Sequence, residues 1–118
     1  MSLTTVHIVF DCTDAAQLAG FWSELLERPV DPGASAFFAT VGGSGDDPLR
    51  PAYIFLQVPE ERAGKNRLHV DLVGADLPGQ VERAIRLGAR HVGDFDEYGT
   101  VWTTLADPEG NLFDIAAS

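Results

Sequence analysis

The sequence predicts an α+β fold made of two copies of one strand–helix–strands unit. Val6-His7-Ile8-Val9-Phe10 and Leu68-His69-Val70-Asp71-Leu72 are both short alternating stretches, and each is followed by a turn, an acidic residue (Asp14, Asp76) and one amphipathic segment. A shift of 62 positions superposes His7 on His69 and Asp14 on Asp76. Each copy is too small to bury its own sheet face, so the two are expected to complete one core. With 118 residues there is room for one domain, 1–118, with module 1 at about 4–59 and module 2 at about 66–117.

The first strand, 6–11, places Val6, Ile8 and Phe10 on one face and His7, Val9 and Asp11 on the other. Thr13 or Asp14 caps a helix over 15–27 whose apolar stripe is Leu18, Phe21, Trp22, Leu25 and Leu26, and Pro29 ends it. Strands are expected at 36–41 and 52–58, joined by the polar stretch Gly42-Gly43-Ser44-Gly45-Asp46-Asp47-Pro48. That stretch lacks a Gly-Lys-Ser/Thr ending and opens no helix, so it reads as a hairpin loop and not a phosphate cradle. Residues 59–66 are charged and irregular, the natural linker. The second helix spans 77–87, with Pro78 in its first turn and Gly88 as its left-handed stop. Strands at 91–92, 100–106 and 112–116 follow, with Asp107-Pro108-Glu109-Gly110-Asn111 as the last turn.

Eighteen acidic against eight basic residues give a net charge of −10, which argues against nucleic acid and anionic membrane as partners, because phosphate affinity comes from clustered Lys and Arg. The acidity itself reads as a solubility feature. Cys12, the single cysteine, forms no internal disulfide and reads as a buried structural thiol. The chain has neither an apolar run of about 18 residues nor a leader-like start, so a cytoplasmic protein is expected.

Candidate chemistry comes from polar residues inside apolar strands. Gln57 and Asp114 both interrupt otherwise apolar final strands, and burying either without a partner costs about 1–3 kcal/mol for the amide and more for the charge. With the two repeated histidines they make a set, His7, Gln57, His69 and Asp114, one from the first and one from the last strand of each module. Two imidazoles, a carboxylate and an amide oxygen suit Zn²⁺, Ni²⁺, Mn²⁺ or Fe²⁺ with positions left open for water or substrate. The competing reading makes the histidines core or surface residues and Gln57 a backbone hydrogen bonder. Trp102 and Thr104, with Phe37 or Phe38, line either a cavity or the core; His91 has no counterpart in the repeat and reads as exposed.

With these residues in place, the chain resembles the vicinal oxygen chelate superfamily, the glyoxalase, bleomycin-resistance and dioxygenase group. The likeness rests on Val6-His7-Ile8, Phe21-Trp22, Arg67-Leu68-His69-Val70-Asp71-Leu72, Leu87-Gly88-Ala89 and Leu105-Ala106-Asp107-Pro108-Glu109-Gly110-Asn111-Leu112-Phe113-Asp114. The resemblance implies two βαβββ modules forming a cup-shaped mixed sheet with helices on its outer face, and a homodimer. It implies a metal held by His7, Gln57, His69 and Asp114, although glyoxalase I-like members carry glutamate at the places of Gln57 and Asp114. The function implied is a metal-dependent lyase or isomerase acting on a small molecule, with Asp114 as the base. One alternative is a metal-free protein that sequesters a small planar molecule in a cup lined by Tyr53, Phe55 and Trp102. Another sets Gln57 aside and takes His7, His69 and Asp114 as the iron triad of a dioxygenase.

Overall fold

Alternating strand faces and two amphipathic helices produce the layers observed in the computed structural model, which describes residues 2–44 and 48–118. The chain divides into two compact units, Met1–Arg62 and Ala63–Ser118. In the first, β1 (His7–Cys12), α1 (Ala15–Leu26), β2 (Phe38–Val41) and β3 (Ala52–Gln57) form a sheet of order β1-β3-β2, with β1 and β3 parallel and β2 and β3 antiparallel. In the second, β4 (Asp71–Gly74), α2 (Leu77–Leu87), β5 (Arg90–Glu97), β6 (Thr100–Ala106) and β7 (Leu112–Ala117) form a sheet of order β4-β7-β6-β5. The only parallel pair there is β4 with β7. Val30 bridges Val41 on the outer side of β2, the place that β5 takes beside β6. Both units therefore follow one βαβββ path, as the 62-residue offset predicts.

The elements begin and end where local chemistry dictates. Asp14 caps α1 by accepting from the Gln17 amide at 3.1 Å, and the helix stops at Glu27, which takes a left-handed conformation (φ 56°) two residues before Pro29. Asp76 caps α2 by accepting from the Gly79 amide at 3.2 Å; a Cβ at position 79 would lie 2.1 Å from the Asp76 carboxylate, so the close cap requires glycine there. Two boundaries differ from expectation. The ladder of β4 starts at Asp71, so His69 precedes the strand, and β5 is much longer than 91–92 because it pairs along the whole of β6 with a bulge between His91 and Gly93. Gly45, Asp46 and Asp47 of the expected loop lie outside the described residues.

The cores form on the helix-facing sides. In the first unit Trp22, Phe55, Leu18 and Val41 are fully buried, and the Phe10 ring packs 5.1 Å from that of Phe55 and 5.4 Å from that of Trp22. Each such side chain contributes about 1.5–3 kcal/mol of burial. Cys12 is buried here and its thiol donates to the Leu56 carbonyl at 3.4 Å. In the second unit Phe113, Leu105 and Ile115 are buried, whereas α2 buries only Ala84. No helix among the described residues is long and apolar enough to cross a membrane.

Asp31 ties the glycine-rich segment to the first sheet. Its buried carboxylate accepts from the Thr40 hydroxyl, the Gly43 amide at 2.9 Å, the Ser44 amide at 3.0 Å and the Ser44 hydroxyl at 2.5 Å. Burial pushes its pKa up, but these hydrogen bonds together outweigh burial and hold the carboxyl below the ordinary aspartate value. A lowered folded value means stability that is present above the unfolded pKa and lost as pH falls through the folded one. The stability gap between wild type and Asp31→Asn, read by urea unfolding, is expected to be constant near neutrality and to shrink below about pH 4. A gap independent of pH down to 3 would count against this role.

Candidate functional site

Strand parity decides which polar residues meet. In the first unit His7 opens β1 opposite Ala52, is exposed, and shares a face with Val9, Asp11 and Ile54. It lines a shallow cavity of about 380 Å³ with Asp31, Thr40, Ser44 and Ile54. Gln57 ends β3 opposite Cys12, five residues along from Ala52, roughly 16 Å at the rise of a strand. It also lies on the other parity, that of Tyr53 and Phe55, and its amide donates to the Thr13 carbonyl at 3.0 Å. The first unit thus keeps His7 and Gln57 apart. The register explains why: Asp71 faces Asp114 in the second unit, and its counterpart Val9 faces Ile54 in the first. Isoleucine 54, and not Gln57, stands where the repeat would place a partner to Asp114.

The second unit does bring its two residues together. His69 Nδ1 lies 3.7 Å from Asp114 Oδ2 and 2.6 Å from Asp71 Oδ1. The three donor atoms that one imidazole and two carboxylates offer lie within 4.8 Å of one another. Asp114 is the shielded member, its side chain 18% exposed against 63% for Asp71, and its Oδ1 accepts from the Thr104 hydroxyl at 2.6 Å. Asp71 was not among the residues singled out from the sequence. The signal was there, since Asp71 is two residues beyond His69 on an alternating stretch and must share its side.

His69 precedes the ladder, so something else must hold its segment against β7. Asn66 does so by imitating a strand: its Oδ1 accepts from the Leu112 amide at 2.8 Å and its Nδ2 donates to the Leu112 carbonyl at 3.1 Å. Two residues further along, the Asp114 amide donates to the Val70 carbonyl at 3.0 Å. The turn before β7 is locked separately. Asp107, buried, accepts from the Glu109 and Asn111 amides at 2.9 and 3.0 Å and pairs with the Asn111 side chain. This is the physical content of the Asp-Pro-Glu-Gly-Asn segment.

The expected ligand-lining residues fall into two groups. Tyr53 and Phe55 are buried beneath α1 beside Phe10 and Trp22, because their parity is that of the helix-facing side; they belong to the core and line no open face. Trp102 and Thr104 share the face of Asp114, and Trp102 stacks on Phe95 with ring centroids 5.2 Å apart and planes at 16°. Phe37 and Phe38 are exposed. His91 is exposed as expected, on the opposite face, with Nε2 3.0 Å from Asp94. The bonds from His91 and then Thr103 hold the Asp94 carboxyl below its usual range.

This fold, with polar donors on the open sheet face, defines a class. The chain belongs to the glyoxalase-like domain family, whose model matches residues 7–116. No curated protein matches it in sequence. Solved structures of the vicinal oxygen chelate superfamily share its fold. A glyoxalase/bleomycin resistance protein/dioxygenase family enzyme from Burkholderia phytofirmans superposes with a TM-score of 0.79 at 15% identity, covering 98% of both chains. A fosfomycin resistance protein from Mesorhizobium loti gives 0.74 at 12%, covering 100% of this chain and 94% of its own. The bleomycin-binding protein of Streptomyces verticillus, in complex with copper(II)-bleomycin, gives 0.66 at 17%, covering 100% and 98%.

Because Asn66 ties the His69 segment to Leu112 at the start of β7, Asn66→Ala is expected to cost about 1–3 kcal/mol of stability. Hydrogen exchange at the Leu112 amide should accelerate in that variant while amides of the first unit keep their protection. Unchanged protection at Leu112 would show that the segment is held by other means.

Proposed function

We propose that the chain is a metal-dependent lyase or isomerase of the glyoxalase type acting on a small molecule, with its centre at His69, Asp71 and Asp114. The observation that carries this reading is the convergence of three donor atoms within 4.8 Å on one sheet face. One imidazole nitrogen and two carboxylates suit Mn²⁺, Fe²⁺ or Zn²⁺, since carboxylate favours the harder ions and imidazole the transition metals. A bound divalent ion supplies Lewis acidity, polarising substrate oxygens and stabilising an oxyanion. The protein's own part is positional. Thr104 holds one oxygen of Asp114 and leaves the other toward His69, which fixes the orientation of the carboxylate that would accept a proton from the substrate. Asp71, with Oδ1 2.6 Å from His69 Nδ1, completes the donor set beside the ring.

A second reading, a metal-free protein that sequesters a small molecule, is favoured by one observation. His69 already has a partner in Asp71 at 2.6 Å, and no buried side-chain polar atom among the described residues lacks one, so the cluster is satisfied without an ion.

Calorimetric titration of chelator-treated protein with Zn²⁺ and Mn²⁺ separates the two. Stoichiometric binding is expected, weakened at least about tenfold in His69→Ala and in Asp114→Asn with the circular dichroism spectrum unchanged. His7→Ala, titrated in parallel, tests the histidine of the first module on its own. Absence of binding by wild type would leave the sequestering reading.

We further propose that the two units make one domain, that the chain forms a homodimer, and that it works in the cytoplasm, where its single cysteine stays reduced. Sedimentation is expected to return twice the chain mass of 12.7 kDa. A monomer at tens of micromolar would refute the dimer.

A further inference from the structure

The helix-facing side of the second sheet is not closed. Along α2, Leu77, Val81 and Ile85 recur every fourth residue and form one apolar stripe, and on β6 Val101 and Thr103 share the face that turns toward it. The two rows do not meet. Between them lies a cavity of about 540 Å³, within the range of about 300–1,000 Å³ that small-molecule sites occupy. The stripe from Leu77 to Ile85 runs about 12 Å at the rise of a helix. Ile85 and Val101 on the walls are 44% and 45% exposed, although a filled core would cover both. The cavity opens on the opposite side of the sheet from the proposed metal centre, because Thr103 lines it and the neighbouring Thr104 binds Asp114.

The outer wall of the cavity, on the edge strand β5, is polar. His91 and Asp94 stand there, and Asp94 Oδ1 takes both the His91 Nε2 at 3.0 Å and the Thr103 hydroxyl at 2.8 Å. Its second oxygen has no hydrogen-bond partner among the described residues. The same two bonds, that of His91 first, hold the carboxyl below the ordinary aspartate value, so Asp94 is anionic at neutral pH. Arg86, the cation on the lining, lies 3.3 Å from Glu82 and is neutralised by it. With histidine counted as neutral, Asp94 is the charge left over, in a chain that carries −10. We propose that this groove binds a small amphipathic amine, its apolar body laid between α2 and β6 and its ammonium at Asp94. Burial of the body supplies the affinity. The ammonium supplies the selection, because an exposed ion pair adds little by itself yet separates cations from anions of the same shape. Neither part depends on a metal at His69, Asp71 and Asp114.

The test is a ¹H–¹⁵N NMR titration of chelator-treated protein, at low salt and neutral pH, with three compounds that share one body: 4-phenylbutylamine, 4-phenylbutan-1-ol and 4-phenylbutanoate. The amine is expected to bind about threefold more tightly than the alcohol and more tightly still than the carboxylate, shifting the amides of Val81, Ile85, Val101 and Thr103. Asp94→Asn keeps an oxygen for His91 and Thr103, and should remove the amine's advantage while leaving the alcohol's affinity unchanged. Ile85→Gln should weaken all three by about threefold or more, since it takes apolar surface from the wall. First-unit amides at their wild-type positions certify that both variants fold. Shifts confined to Asp71 and Asp114, an amine that binds no more tightly than the alcohol, or an advantage that survives Asp94→Asn overturns the proposal.

Discussion

The second module depends on one register, the parallel pairing that sets Asp71 opposite Asp114. Like charges at directly opposed strand positions repel, and a sheet keeps such a pair only where something compensates. Here the His69 ring stands against both carboxylates and the Thr104 hydroxyl binds one of them. The compensation in turn demands that a residue lying before β4 reach the start of β7. Asn66 meets that demand with its side-chain amide, at the point where no backbone ladder has yet formed. A divalent ion would relieve the same repulsion more strongly, which supports the metal centre proposed for these residues.

The two modules share a path but divide their labour. The first invests in a dense aromatic core, with α1 burying six residues against its sheet. At the position of Asp114 it carries Ile54, which asks for no partner. The second module is thinly covered by comparison. A helix about 10 Å wide covers two strands spaced 4.8 Å apart, and a four-stranded sheet needs twice that. Between α2 and the β5–β6 side lies a cavity of about 540 Å³ lined mainly by Leu77, Val81, Ile85, Val101 and Thr103. Polar chemistry and sparse packing thus fall in the same half of the chain.

Solved structures at 12–17% identity reproduce this backbone nearly end to end. What is shared at that distance is the backbone path, which tolerates side-chain replacement. Chemistry is less tolerant. It resides in which residues occupy a few same-face positions, so fold membership constrains where a site lies without deciding what it does.

Much of this was legible in the sequence because the determinants were local. Period-two alternation, the Asp14 and Asp76 caps, Pro29, Gly88 and the closing turn act within a few residues of themselves, and α2 and β6 fall where that local chemistry puts them. The repeat was legible for the same reason, as a property of order along the chain. Register was not. Whether Gln57 or Ile54 answers Asp114 depends on where β1 and β3 lock together, a choice made by packing under α1 that no count along the sequence contains. The same choice turned Tyr53 and Phe55 into the core, and the separate β5–β6 register set Trp102 beside Phe95 on the open face. Asp71 joined the site only because β4 begins at that residue, so its carboxylate was brought to Asp114 by a pairing between strands more than forty residues apart. Local periodicity determined what each strand offers to its two faces; the tertiary register decided which of those offers meet, because a shift of one residue exchanges every side chain between core and open face.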